Sequence, residues 1–480
     1  MKPDNYPTAP AHLWRHFFEI TRIPRPSGAE AAVRDYVIDQ ATLAGCACRQ
    51  DATGNLVIAV PASPERDNHA AVIIQNHLDM VTVKTADKAH DFSRDALSLR
   101  VNDGWLSADR TTLGADNGVG CAAALAVMTD PDVQHPPLEL LFTVDEETGL
   151  NGALGLDASL LTGTRLLNLD TEDWCELYVG CAGGGGWVFQ REFATTQPLL
   201  DSNYWTLSLQ GLSGGHSGIQ IHEQLGNAIK LLAQCLGDAG DIQLARIDVG
   251  VAHNVIPREG EVTFACSGPT RDALALHLDT VREQALGYLP EADRELTLAL
   301  READAEPVLS ARDTLQVLDI LRAFPHGVQA YNQAFCSDMV DVSINLAVAQ
   351  LQRGEFLMES SYRFFNEDQS LPLQQSVLAL ARTFGLSVEP IVGYPGWQPD
   401  MDSPLLAQAA ALYTRLFGSV PAVKAIHAGL ECGILKGKKE DLDILSFGPT
   451  IRGAHSPTER LQIDTVEPFW LFLRELLAEL

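Results

Sequence analysis

Five short stretches hold residues that could do chemistry together. QNHLDM (75–80) ends an apolar run on His77 and Asp79, and GADNG (114–118) holds Asp116. TVDEETG (143–149) puts Asp145, Glu146 and Glu147 at the end of the apolar run Leu138–Val144. NLD (168–170) ends on Asp170, and GAHS (453–456) places His455 nine residues after the run Leu442–Ser446. Taken singly, each has a plain structural role. A histidine at a strand end is commonly hydrogen-bonded in place, Asp116 could cap a helix, Asp170 could sit in a turn, and the Glu pair could lie in a solvated loop. Jointly they point elsewhere. Several unpaired carboxylates at one sheet edge are costly, and cations remove that cost. Imidazole and carboxylate without thiolate suit Zn, Mn or Co. Three carboxylates against two divalent ions leave a charge of about +1, so a two-metal site balances where a one-metal site would be over-supplied with acid.

The elements that must position these residues are legible as patterns. Ala11–Arg22 and Ala29–Ala44 have helical spacing, as does the alanine-rich stretch after Asp116. Leu56–Val60, Ala71–Asn76, Leu138–Val144 and Leu166–Leu169 are short apolar runs between helical patterns. They read as buried strands of a mixed, mostly parallel sheet covered on both faces. Carboxyl ends of such strands line the ligand crevice, so the five stretches converge. His77 and Asp79 lie two apart on a strand and face the same way. Asp79 can therefore accept the second ring N–H of His77 and fix its tautomer. Of Glu146 and Glu147, one as ligand and one as general base is a natural division.

From about Trp187 to Tyr394 the pattern changes to alternating, half-exposed strands and amphipathic helices, an α+β layer with a solvated sheet face. After Pro395 the earlier style returns. The expected organisation is a two-segment α/β catalytic domain, 1–186 and 395–480, interrupted by an inserted α+β domain at 187–394. Between them YVGCAGGGGWV (178–188) has four consecutive glycines but no phosphate-loop pattern. It reads as a flexible junction or a tight backbone passage.

Totals narrow the function classes. The chain has 480 residues with 34 Lys and Arg against 63 Asp and Glu, a net charge of −29, which disfavours nucleic acid and anionic membrane surfaces as partners. Met1–Ile20 has no apolar signal core, and no apolar run reaches transmembrane length. Nine scattered cysteines without a C-x-x-C pair indicate free thiols in a reducing cytoplasm.

The five motifs, in this order, resemble the M20 family of di-zinc metallopeptidases. GLSGGHSG (211–218) and HAGLECG (427–433) resemble its aminoacyl-histidine dipeptidase branch. The resemblance implies two divalent ions per chain, Zn first with Co or Mn as alternatives. It implies Asp116 bridging both ions, His77 and Asp170 completing one site, and Glu147 and His455 the other. Asp79 would orient His77. Glu146 would take a proton from a bridging water that attacks a peptide carbonyl, then protonate the leaving amine. The inserted domain would serve as lid and dimerisation domain. His216 would stabilise the oxyanion, while Asn254, Arg363 and Gly429 would contact the substrate, Arg363 at its carboxylate. Implied substrates are small peptides, Xaa-His and other unblocked dipeptides, cleaved by a homodimer. AGLE (428–431) stands where many relatives have G-G-T, which weakens the transfer of substrate contacts. Alternatives are an N-acyl amino-acid deacylase or tripeptidase of the same fold, and a non-catalytic metal-binding scaffold, against which an intact Glu146 argues.

Overall fold

The computed structural model describes residues 2–480 except 65, 238–240, 334 and 336–338. The chain divides into two units: Met1–Cys181 with Trp397–Ala425 and Leu430–Leu480, and Ala182–Gly396 with Ile426–Gly429. Residues 182–186, 395–396 and 426–429 thus go with the second unit rather than the first. Among the described residues no helix is long and apolar enough to cross a membrane.

The first unit opens with helices α1 (Ala11–Ile20) and α2 (Ala31–Leu43) and strands β1 (Ala47–Gln50), β2 (Leu56–Val60) and β3 (Val72–His77). Helix α3 (Ala115–Thr129) and strands β4 (Leu138–Thr143), β5 (Arg165–Asn168) and β6 (Glu176–Cys181) follow. Helix α1 buries Leu13, Trp14, Phe17 and Ile20, a stripe at helical spacing, whereas α3 is buried on every side from Asn117 to Met128. Small residues make that burial possible, because they let α3 lie close to its neighbours. Strands β3 and β4 are buried at every position, as expected of strands covered on both faces.

The second unit is built on one antiparallel sheet. Its strands are β7 (Gly183–Glu192), β8 (Ser202–Gln210), β9 (Gln243–Val249), β10 (Gly260–Ser267), β11 (Thr297–Glu302), β12 (Gly327–Tyr331), β13 (Val340–Gln352), β14 (Glu355–Phe364) and β15 (Ser387–Tyr394). The order is β11-β8-β10-β9-β13-β14-β7-β15, with β12 added to β13. Helices α4 (Ala228–Cys235), α5 (Gly268–Tyr288), α6 (Ala311–Ala323) and α7 (Glu367–Phe384) bury one face of it. The other face is not simply solvated. Strand β13 is buried from Val340 to Ala349, because loop segments lie across it. Ile221, Leu225 and Ile256 pack with Val340, and Asn345 donates to the carbonyls of His253 and Val255.

The chain returns to the first unit with α8 (Pro404–Phe417), β16 (Ala422–Ile426), α9 (Glu431–Lys438), β17 (Asp443–Ser446) and α10 (Ile463–Glu479). The sheet order there is β1-β2-β4-β3-β5-β17-β6-β16. The four central strands β4, β3, β5 and β17 run parallel, so their carboxyl ends share one edge. Antiparallel pairs flank them. A smaller sheet joins Leu99–Asn102 and Trp105–Ala108 to Ile451–Arg452 and Arg460–Gln462, which fixes both ends of the loop carrying His455.

The glycine run is strand, not a flexible joint. It forms the start of β7, and a Cβ on Gly186 would stand 2.4 Å from the carbonyl oxygen of Ser360. A side chain there must push two backbones apart. Gly186→Ala is expected to destabilise the second unit by about 1–3 kcal/mol, read as a lower urea midpoint. An unchanged midpoint would show that the strands separate freely.

Candidate functional site

The parallel strands deliver the sequence motifs to one place. His77 ends β3, and its Nε2 lies 3.0 Å from Asp116 Oδ1 and 3.3 Å from Asp170 Oδ1. Its Nδ1 lies 3.4 Å from Asp79 Oδ1. His455 Nε2 lies 3.1 Å from Asp116 Oδ2 and 3.0 Å from Glu147 Oε2. Asp116 thus offers one oxygen to each histidine. Two donor sets, His77–Asp116–Asp170 and Asp116–Glu147–His455, each bring their atoms within 4.8 Å of one another, and they share Asp116. Glu146 forms a third set with His77 and Glu147. Asp116 does not act as a helix cap. Its backbone is non-helical (φ −75°, ψ 112°), and its carboxylate turns to the histidines. His455 holds φ at 61°, left-handed space that a non-glycine residue occupies at a cost.

Of the three consecutive acids only two join the cluster. Asp145 turns away to accept from Thr148 Oγ1 (2.6 Å) and Asn151 Nδ2 (2.8 Å). Asp79 fixes the other two by accepting from the backbone N–H groups of Glu146 (3.0 Å) and Glu147 (3.1 Å), and from Ser27 Oγ (2.7 Å). Three buried supports had no local sequence signal. Arg25 donates to the carbonyls of Leu78, Asp79 and Gly114. Glu459 accepts from the N–H groups of Leu113, Gly114 and Ala115 at 2.7–3.0 Å. Glu431 accepts from Gln75 Nε2 (2.5 Å) and Thr143 Oγ1 (2.6 Å). Each works on chain far away in sequence, so only the fold reveals it.

Burial and crowding set the charges. Burial, then Glu147 and Asp170, push the Glu146 carboxyl well above the usual range against the pull of His77. Burial raises Asp170 to about 7 and Glu172 to about 8. Burial also opposes ionisation of Asp116, but hydrogen bonds from His455 and His77 overcome it and hold this carboxyl below its ordinary range. Burial disfavours a charged His77, yet Asp170, Asp116 and Asp79 raise it well above its usual value. Hydrogen bonds to Asp116 and Glu147 lift His455 to about 11. The buried Oε1 of Glu147 has no hydrogen-bond partner. A bridging carboxylate, an imidazole on each of its oxygens and an orphaned carboxylate oxygen suit two divalent cations.

The remaining residues predicted to bind substrate lie in the second unit. His216 Nδ1 accepts from the N–H groups of Gly218 (3.1 Å) and Ile219 (3.0 Å), which leaves the hydrogen of a neutral ring on Nε2. Asn254 is exposed, and its main-chain carbonyl accepts from Ser217 N at 2.9 Å. Arg363 is buried, and its Nη1 donates to the Tyr394 hydroxyl at 2.9 Å. Gly429 lies under the Tyr394 ring, where a Cβ would come within 2.7 Å of it. Tyr394, Ser343 and His427 were not expected at this site.

The profile of peptidase family M20/M25/M40 matches residues 73–479. The chain belongs to that family. It is a peptide hydrolase of mixed α/β fold. It is 37% identical over 476 residues, 98% of both chains, to the cytosol non-specific dipeptidase of Escherichia coli (strain K12). Its structure is similar to that of aminoacylhistidine dipeptidase from Vibrio alginolyticus, with TM-score 0.85, 36% identity, and 98% and 97% of the two chains covered. With a tripeptidase from Staphylococcus aureus it shares the fold alone, at TM-score 0.55 and 14% identity over 98% and 97% of the chains.

In the metal-free peptidase both His77 and His455 stay protonated at neutral pH, since both are raised above 6.5. Ligation needs the neutral ring, so metal binding should release protons and strengthen as pH rises from about 6.5 toward about 11. Calorimetric titration with Zn in buffers of different ionisation enthalpy reads the number released. Zero released protons would remove the two histidines from the ligand set.

Proposed function

We propose that this peptidase hydrolyses unblocked dipeptides, Xaa-His among them, with two divalent ions per chain, Zn first and Co or Mn as alternatives. The observation that carries the reading is Asp116, with one oxygen turned to His77 and the other to His455. In it His77, Asp116 and Asp170 hold one ion, and Asp116, Glu147 and His455 the other. The names of the two relatives near 37% identity support the substrate class.

A bound metal pair supplies Lewis acidity, which polarises a carbonyl and lowers the pKa of water toward about 7. The remaining work falls to protein groups. Asp79, with Oδ1 3.4 Å from His77 Nδ1, is placed to orient that ring, and it accepts from the backbone N–H groups of Glu146 and Glu147. Glu146, grouped with His77 and Glu147, is suited to take a proton from the attacking water and pass it to the leaving amine once it is ionised. The Nε2–H of His216 suits a developing oxyanion. The Arg363 guanidinium suits a substrate carboxylate, and Asn254 and Gly429 add contacts. Cysteines that are free thiols, and the cytosolic name of the Escherichia coli relative, support a cytoplasmic enzyme. The outer strands β11 and β15 leave sheet edges that a homodimer could pair.

Metal-stripped protein given Zn, Mn or Co should cleave Ala-His and β-Ala-His but not Gly-Gly-Gly or N-acetyl-Met. Cleavage of N-acetyl-Met alone would make it a deacylase, and cleavage of Gly-Gly-Gly alone a tripeptidase. Glu146→Ala should bind metal normally and lose kcat by about 10²–10⁴-fold, while near-normal turnover would reject the general base. Asp79→Ala should weaken metal affinity about 10–100-fold; unchanged affinity, measured against a chelator, would count against its hold on His77.

A further inference from the structure

On the face of the second unit's sheet away from its helices, one register row runs from Tyr394 on β15 through Gly184 on β7 and Arg363 on β14 to Ser343 on β13. Arg363 is 9% exposed. Its Nε is buried without a hydrogen-bond partner, and no carboxylate pairs with it among the described residues. His427 reaches the same spot. A Cβ on Gly218 would meet the His427 carbonyl oxygen at 2.1 Å and Arg363 Nε at 2.7 Å. The His427 ring is 8% exposed; Nε2 lies 2.7 Å from Ser343 Oγ, and Nδ1 is buried without a partner. With the Ser343 hydroxyl donating to Nε2, the hydrogen of the neutral ring sits on Nδ1. Burial, then Arg363, lower the ring to about 3, which keeps it neutral. Tyr394 accepts from Arg363 and keeps its own hydroxyl hydrogen to give.

We propose that His427, positioned by Ser343 and seconded by Tyr394, is a specificity-determining residue that reads the free C-terminal carboxylate of the substrate alongside Arg363. This rests on the assignment of Arg363 to that carboxylate. The site carries one fixed positive charge and neutral donors around it, which matches a monoanion with several lone pairs. Buried donors left unmade are costly, and a carboxylate satisfies them better than an amide does. The selected substrate is therefore a peptide whose second residue ends the chain.

The test compares kcat/KM for Ala-His and for Ala-His amide. In His427→Ala the preference for the free acid should fall about tenfold, through KM of the acid rather than kcat. His427→Asn, which keeps an N–H donor, should recover part of it, and Tyr394→Phe should lose less. Equal proportional loss on both substrates would overturn the proposal. If His427→Ala does not fold, Ser343→Ala is measured in the same way, and an unchanged preference overturns it. Arg363→Met separates the two levels. A preference that survives there defeats the carboxylate assignment itself. A preference that collapses there but is untouched in the His427 variants defeats only the role of His427.

Discussion

One carboxylate shared by two imidazoles is the constraint on which the first unit depends. Asp116 can serve both His77 and His455 only if its loop is fixed against two distant parts of the chain. The fold meets this with side chains that grip backbone. Glu459, on the loop of His455, holds the N–H groups of Leu113 to Ala115. Arg25 ties the carbonyl of Gly114 to those of Leu78 and Asp79. Asn117 donates to the Leu169 carbonyl at 2.7 Å, beside Asp170. Every loop that brings a candidate ligand is thus clamped to a loop that brings another. A change in any clamp moves two donor groups at once.

The clamps are needed because the charges would otherwise drive the loops apart. Two like charges about 4 Å apart repel by about 4 kcal/mol at an effective dielectric near 20. Asp116, Glu147, Asp170 and Glu146 together could consume most of the roughly 5–15 kcal/mol that keeps a domain folded. The chain lowers this burden in three ways. Asp145 is turned out to Thr148 and Asn151. His77 and His455 are raised so that they stay protonated. Glu146 and Asp170 are raised so that they resist ionising. Protons lower the repulsion in the metal-free protein, and two divalent cations held by these candidate ligands would lower it further while leaving every carboxylate charged and every imidazole neutral.

What was legible in the sequence was local. The apolar runs of β2, β3, β4, β5 and β17 stood out because strands covered on both faces are rich in apolar residues, and all but β2 end on or before a motif that carries ligand chemistry. The order of those motifs was enough for the family. The clamps were not legible, because nothing in TER marks Glu459 as different from a surface acid, and its partners lie more than three hundred residues away. Arg25 likewise sits in a plain RIPRP segment. The burial of β13 on both faces was missed for a related reason: alternation along a strand reports one covered face and cannot show that loops from elsewhere lie across the other.

The two units hold their functional groups by different means, and the glycine run follows from the second. The first unit clamps backbone to backbone through buried side chains. The second lines side chains up across neighbouring strands, so each position is set by sheet register. In that arrangement Tyr394 and Arg363 are separated by the strand that carries Gly184, and all three positions face the same way. Their bond therefore crosses over Gly184, where a Cβ would already lie 3.4 Å from the Tyr394 hydroxyl and 3.0 Å from the Tyr362 carbonyl oxygen. Any longer side chain at 184 would fill the space through which Tyr394 reaches Arg363. Of the two readings of the stretch, flexible junction and tight backbone passage, the strand pairing and close approaches fit the second, and at Gly184 the missing side chain leaves room for the bond between Tyr394 and Arg363.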